Sequence, residues 1–565
     1  MLYPLRPSRF VTALGLFALI GCNGAEQESD TDAETNETNQ GTDTSADSLS
    51  STSATDTATS TATDNATDNA TDTATTGAEP VPILARNIKL DRVQANQAVG
   101  IDIARDGAWV PGAERSSYLL ANRLMLLRGF FSVGEGWVPR DIRAHLTVYY
   151  PDGTIHEDDE TVFIEGDSFE GNLAETFNFG LMPEQVVTGI RFEMDLWETA
   201  PGYEDVAEPD PPPRIPYDGD ALIGVEDSHQ ILKVVIVPFN YDDGAGCKRS
   251  PDTSEETMKL FYDYMYMQDP VDELEITMHD PIDWTTKLNS FDEMNQFMSG
   301  LRFDEGAPPE VFYYGLVDPC SSGVGGAGGK AYGIPNIPPE KEQAWRRVSS
   351  GASLSNTQAN IEWSAETFVH EVGHSLGRLH IDCGGAAGFD PSYPFPEGQV
   401  GEWGFGVLDY GMRHPTVNKD YMTYCHPTWI GNWGWSKLYP IIRTLSEWAN
   451  EAPPAPGEDI YGGSLLVGSV YPDGHSSWIT VPGAVRDEAL SATDTVELRA
   501  GDTVIATQRA EVQVLPDGDI TQIVVPLPEN FDSVTSFEHI SADSRRAIDI
   551  SDVSLHHTSR ALRTQ

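Results

Sequence analysis

The sequence predicts an α/β (α+β) domain in the middle of the chain, flanked by two all-β, sandwich-like domains and preceded by a disordered tether. Three observations carry that expectation. Residues 80–208 and the stretch after residue 458 are built of short segments in which apolar and polar side chains alternate, with Pro-Asp-Gly turns among them; this is how half-buried strands read. Between these stretches, short apolar runs at 231–237 and 311–317 are interleaved with helical spacing, the pattern of buried strands and the helices that cover them. Residues 23–77 contain no aromatic residue and little but Thr, Asp, Ser, Ala, Asn and Glu, too little apolar surface to offset the entropy of ordering a chain.

The chain opens with Arg6 and Arg9, then a short apolar run over residues 10–20 that ends in Leu19-Ile20-Gly21-Cys22. A run that short cannot span a bilayer and reads as the apolar part of a secretory signal. Its end resembles the bacterial lipobox, which implies cleavage before Cys22 and acylation of that sulfur. Residues 1–22 are then a lipoprotein signal and 23–79 a tether. The mature protein is expected to be exported and lipid-anchored at the bacterial cell envelope, at the outer membrane or cell surface, with acyl chains as its only hold on the membrane. A net charge of -53 over 565 residues argues against nucleic acid as a partner and suits solubility in salt or a cationic partner.

Residues 80–215 are expected to form the N-terminal sandwich, with strands at 142–150 and 187–196 and the turn Pro151-Asp152-Gly153. No cysteine occurs there, so no thiolate from this segment could cap a metal. The acidic run Glu157-Asp158-Asp159-Glu160 reads as a solvated loop, with Ca2+ binding as the alternative. A proline-rich stretch at 208–213 marks the boundary.

Residues 216–452 are expected to be the α/β domain. A helix over 253–267 has Thr253 or Ser254 as its cap. A glycine-rich loop at 323–329 leads into Lys330-Ala331-Tyr332-Gly333, which reads as a surface loop or an edge strand. Ser364 is placed as the N-cap of a helix carrying the stretch from His370 to His380. On that helix His370 and His374, four apart, share a face and can aim at one metal ion. Glu371, turned about 100° from His370, is placed to hydrogen-bond a water that the ion holds. Gly377 permits a tight left-handed exit that returns His380 as third ligand. Three imidazoles leave a coordination position open, as catalytic zinc requires. Glu397 or Glu402 would be the third ligand in an alternative arrangement.

This HExxHxxGxxH stretch, followed some forty residues later by Asp420-Tyr421-Met422-Thr423-Tyr424-Cys425, resembles the metzincin clan of zinc endopeptidases. The segment from His380 to Ile430 is most similar to bacterial secreted metalloproteases related to the mucin-cleaving group. The resemblance implies hydrolysis of extracellular proteins or glycoproteins, with Zn2+ on His370, His374 and His380; the chain is expected to be a monomer. It also implies Glu371 as general base, Met422 as the methionine turn, substrate aligned along the 323–333 edge, and Tyr424 as stabiliser of the oxyanion. Read alone, Tyr424 is an ordinary buried tyrosine. In the snake-venom branch an aspartate follows the third histidine directly, whereas here Ile381 precedes Asp382. The competing class is an adhesin or glycan-binding lipoprotein with an inactive protease-like domain, and the intact Glu371 argues against it.

Five cysteines, less Cys22, leave four for two disulfides in an oxidising setting. Three pairings are possible. Convergence of both segments below the metal would pair Cys383 with Cys425, leaving Cys247 with Cys320. Trp429, Trp433 and Trp435 read as core, Pro440 as the start of a helix to residue 448, and residues 451–457 as a linker. The second sandwich, 458–558, has strands at 465–471, 495–500, 503–508, 512–515 and 522–527, with turns Pro472-Asp473-Gly474 and Pro516-Asp517-Gly518. His556-His557 reads as a solvated tail.

Overall fold

The structure is a computed structural model that describes residues 82–355, 357–455, 457–515, 520–528, 531–542 and 544–555. The signal, Cys22, the tether, Pro516-Asp517-Gly518 and His556-His557 lie outside the described residues. Among the described residues four α-helices stand against thirty-two mostly short strands, so the chain is mostly β.

Residues 88–226 contain two antiparallel sheets. One runs in the order Ala108–Trp109, Gly100–Arg105, Ile88–Asn96, Met125–Val133, Phe177–Leu181; the other Arg214–Ile215, Arg191–Glu198, Arg140–Tyr149, Ile155–Ile164. Their inner faces share one core in which Val93, Leu127 and Phe177 meet Leu146, Phe192 and Met194, a sandwich built by the two-residue period of each strand. The strand expected from residue 187 begins at Arg191, because 187–190 close a turn with Ile190 N donating to Val187 O. The acidic run is not a loop. It lies on the strand Ile155–Ile164, where Asp159 accepts from His145 Nδ1 at 3.0 Å, so its charges are met by a basic neighbouring strand rather than gathered around an ion.

The middle of the chain is a seven-stranded mixed sheet. Val311–Val317 lies between Ile231–Asp242 and Val348–Ala352, parallel to both, and Gly329–Ala331 pairs antiparallel on the outer side of Val348–Ala352. Every residue of Val311–Val317 is buried, which is why its sequence is apolar without alternation. Helix α1 (Glu255–Gln268) begins at Ser254, whose hydroxyl accepts from Thr257 N. Helices α2 (Phe291–Asp304) and α3 (Gln358–Ser375) both touch Val348–Ala352 and Gly329–Ala331. Ser364 is not the cap of α3. The helix starts two turns earlier at Thr357, whose side chain accepts from Asn360 N, while Ser364 Oγ donates back to Asn360 O. The exposed first turns carry no apolar period to announce them.

Helix α4 (Asn432–Ala449) likewise begins before Pro440, which sits inside it. Burial of Trp435 and Leu438 in the first two turns outweighs the hydrogen bond a proline cannot make. Trp429 and Trp435 are core, as expected, and their Nε1 atoms donate to Ala98 O and Tyr118 O in loops of the N-terminal sandwich, each at 3.0 Å. Trp433 is half-buried against Tyr393. Fully buried Arg123 adds hydrogen bonds to Tyr266 O in the last turn of α1 and to Val271 O just past it, at 2.6 and 2.5 Å.

The C-terminal part again stacks two sheets, Glu511–Leu515, Ile520–Pro526, Ser464–Val470, Ser476–Pro482, Val553–Leu555 over Thr503–Arg509, Thr495–Ala500, Ser536–Ile540, Arg545–Asp549. Leu466, Trp478, Leu498 and Phe537 fill the space between them. The sheet at Ser464–Val470 also packs into the core around Trp345 and Phe291. Both described Pro-Asp-Gly turns close identically: Tyr150 N donates to Thr154 O and Tyr471 N to His475 O, with Gly153 and Gly474 at positive φ.

Candidate metal centre

Helix α3 ends in a left-handed cap that makes the site. Gly377 has φ +95°, its N–H reaches His374 O at 2.8 Å, and Arg378 N reaches Gly373 O at 3.0 Å, the paired bonds of a Schellman motif. The chain reverses there. His380 returns so that its Nε2 stands 3.0 Å from His374 Nε2, with ring centroids 4.5 Å from His374 and 5.3 Å from His370. All three histidines are buried, and one donor atom from each lies within 4.8 Å of the others.

Each ring is held by its far nitrogen. His370 Nδ1 bonds Tyr421 O, His374 Nδ1 bonds Arg378 O and His380 Nδ1 bonds Ala387 O, all at 2.7 Å. A carbonyl oxygen only accepts, so each Nδ1 carries the hydrogen, which leaves Nε2 as the atom through which a neutral ring offers a lone pair. Two such lone pairs 3.0 Å apart repel unless a cation or proton lies between them. Nitrogens sharing an ion through bonds of about 2.0–2.1 Å stand roughly that far apart. The donor set therefore fits a metal ion, and among the described residues it is the group that does.

The carbonyls that hold the rings are themselves fixed. Arg378, inside the cap, donates to Asp420 Oδ2 at 3.0 Å, and Asp420 Oδ1 accepts from Met422 N at 2.9 Å. Tyr421, whose carbonyl holds His370, donates its hydroxyl to Asp269 Oδ1 at 2.9 Å. Burial pushes the Asp269 carboxyl up to about 7. Met422 is fully buried, and its Sδ lies 2.7 Å from where a Cβ on Gly373 would sit, so the methionine packs directly under the helix beside His374. Ile381 N donates to Met422 O at 2.9 Å. Arg378, Asp420 and Asp269 were not singled out from sequence; Arg378 and Asp420 flank the two motifs, but nothing in the spacing pairs them.

Glu371 is 3 % exposed and lies against the edge strand. A Cβ on Gly329 would come within 2.7 Å of its Cγ and 2.9 Å of Oε1. Tyr424 is not a buried tyrosine: it is 44 % exposed, with its ring centroid 4.9 Å from that of His380 and 5.8 Å from that of His370. Asp382, next but one after His380, is exposed. Neither Glu397 nor Glu402 belongs to the metal group: Glu397 is exposed, and Glu402 Oε1 accepts from Asn432 N at the start of α4 at 2.7 Å. Beside His370 opens a cleft of about 420 Å³ bounded by Gly325 to Gly329, Trp363, Glu366, Thr428, His426 and Tyr424.

Cys383 is bonded to Cys425 and Cys247 to Cys320, with Cα atoms 5.7 and 6.0 Å apart. Two disulfides place the protein in an oxidising, extracellular or periplasmic setting. Among the described residues no helix is long and apolar enough to cross a membrane.

No protein-family model matches the chain, and no curated protein matches it. Solved structures that match include a calcium-binding mutant of Bacteroides uniformis beta-glucuronidase 2, 9% identical at a TM-score of 0.13, over 41% of this chain and 24% of that one. The chain thus spans about a quarter of that enzyme's length. A glycosyl hydrolase family 2 member from Bacteroides cellulosilyticus is 10% identical at a TM-score of 0.13, over 76% and 77%. Likeness at this level carries nothing over to the fold or chemistry of this chain.

Proposed function

We propose that the protein is a zinc-dependent endopeptidase of the metzincin kind that hydrolyses peptide bonds in extracellular proteins or glycoproteins. The observation that carries this reading is the convergence of three carbonyl-tethered imidazoles with Glu371 buried beside them. His370, His374 and His380 would hold the ion through Nε2. Zinc bound there supplies a Lewis acid that polarises a carbonyl and brings the pKa of water to roughly 7.

The chain's own residues supply the rest. Glu371 accepts the proton of the attacking water and delivers it to the leaving amine. Tyr424, whose ring lies against those of His380 and His370, would stabilise the oxyanion through its phenol. Tyr332 N donates to Val348 O and Ala352 N to Gly328 O. Because bonded positions alternate in an antiparallel ladder, the N–H and C=O of Gly329 point away from the sheet, toward a substrate strand. Export through Cys22 acylation, with residues 23–79 as a tether, would set this site at the bacterial envelope among such substrates.

The test is zinc content and cleavage of protein and glycoprotein substrates by the full chain and by Glu371→Gln. Stoichiometric zinc in both, with cleavage lost by about 100-fold or more in the variant, is expected. Zinc-loaded wild type that cleaves nothing, or a variant that cleaves as well as wild type, overturns the proposal.

A further inference from the structure

The cleft beside His370 carries one carboxylate, Glu366, paired with His426. Glu366 lies one turn before His370 on α3 and 18% of its side chain is exposed; its Oε1 accepts from Thr428 Oγ1 at 3.0 Å and its Oε2 stands 3.0 Å from His426 Nδ1. His426 is 52% exposed and is the titratable partner of that carboxylate. Glu362, one further turn back, faces the same side of the helix. Among the described residues no lysine or arginine lines the cleft. Trp363 forms another wall: its ring edge lies 2.5 Å from where a Cβ on Gly328 would sit, so the indole covers the glycine loop. A carboxylate beside an indole is a pair of groups that receives a guanidinium or ammonium. An apolar side chain placed there would strip water from Glu366 without replacing it.

We infer that this cleft is a specificity subsite for a basic side chain, Lys or Arg, of the substrate residue adjoining the scissile bond, with Glu366 as its counter-charge. The inference rests on the peptidase reading above. Glu366 is a specificity residue: the incoming cation takes over the carboxylate oxygen now facing His426, whose exposed ring turns to solvent. The glycine loop admits the side chain because no Cβ narrows it between Gly325 and Gly329 except at Ala327.

The experiment is a cleavage-site profile of the zinc-loaded full chain on an unbiased peptide library, then kcat/KM on matched peptides with Lys, Arg, Leu or Glu beside the cut. Wild type should favour Lys or Arg over Leu by about tenfold, with Glu the poorest, and Glu366→Gln should reduce that preference to threefold or less while still cutting the Leu peptide. Cleavage with no basic preference at either position flanking the cut, or a preference for apolar or glycosylated residues, overturns this inference and leaves the peptidase reading standing. No cleavage of any peptide or protein overturns both. The wild-type profile decides the matter even where Glu366→Gln does not fold.

Discussion

Arg378 and Asp420 lie 42 residues apart and join through a 3.0 Å hydrogen bond between side chains that are 3% and 0% exposed. Arg378 presents the carbonyl that holds His374, and Asp420 caps the turn that carries Met422. The pair therefore locks the left-handed cap of α3 to the methionine turn. Removing one member strands the other charge in the interior, which costs about 3–5 kcal/mol. Asp420→Ala is expected to lower unfolding free energy by that amount in denaturant titrations and to weaken zinc binding. Arg378→Met should do the same, since the charge it leaves, Asp420, is the more buried of the two.

Cys383 and Cys425 fasten the same two segments covalently, one just past His380 and the other just past Tyr424. The bond closes a loop spanning 42 residues, and its loss costs about 2–5 kcal/mol by freeing the unfolded chain. Replacing both by alanine should lower the melting temperature and release zinc at lower chelator concentrations. Replacing Cys247 and Cys320 together should lower the melting temperature while leaving the chelator midpoint where it was, because that bond holds the sheet edge and no histidine.

The ligand triad was legible because a single eleven-residue stretch encodes it: helix period sets His370 over His374, and Gly377 announces the reversal. What fixes those ligands was not legible. The Arg378–Asp420 and Tyr421–Asp269 bonds join residues 42 and 152 positions apart, and no local pattern encodes a distant partner. Strand runs with clear alternation, such as Thr495–Ala500, read well, whereas Arg545–Asp549, with its charged start, did not. Helix boundaries failed where burial or solvent overrode local chemistry, at Ser364 and Pro440.

Gly329 is predicted to matter for rate alone. Its missing side chain leaves room for Glu371, and a Cβ there would stand 2.7 Å from Glu371 Cγ. Gly329→Ala therefore presses on the carboxylate and on the Thr367 methyl, which a Cβ would also meet at 2.7 Å, and a misplacement of the carboxylate on the order of 1 Å costs about 100-fold in rate. Zinc content should stay at wild-type level, because none of the Nδ1 bonds involves the edge strand. Steady-state kinetics beside metal analysis separates the two effects.

Asp269 gives the fold a pH dependence with a defined sign. Burial raises its carboxyl from 3.8 to about 7, so between about pH 4 and 7 the folded state keeps a proton that the unfolded chain has released. In that window the native state binds more protons than the unfolded state, and stability falls as pH rises; above about 7 this contribution levels off at its lower value. Asp269→Asn keeps an acceptor for the Tyr421 hydroxyl and removes the titration. The variant's unfolding free energy, measured by urea titration from pH 4 to 8, should decline less steeply than that of wild type and exceed it at pH 8. A wild-type slope that the substitution leaves intact would assign the titration to another group and take Asp269 out of the account of how Tyr421 is held.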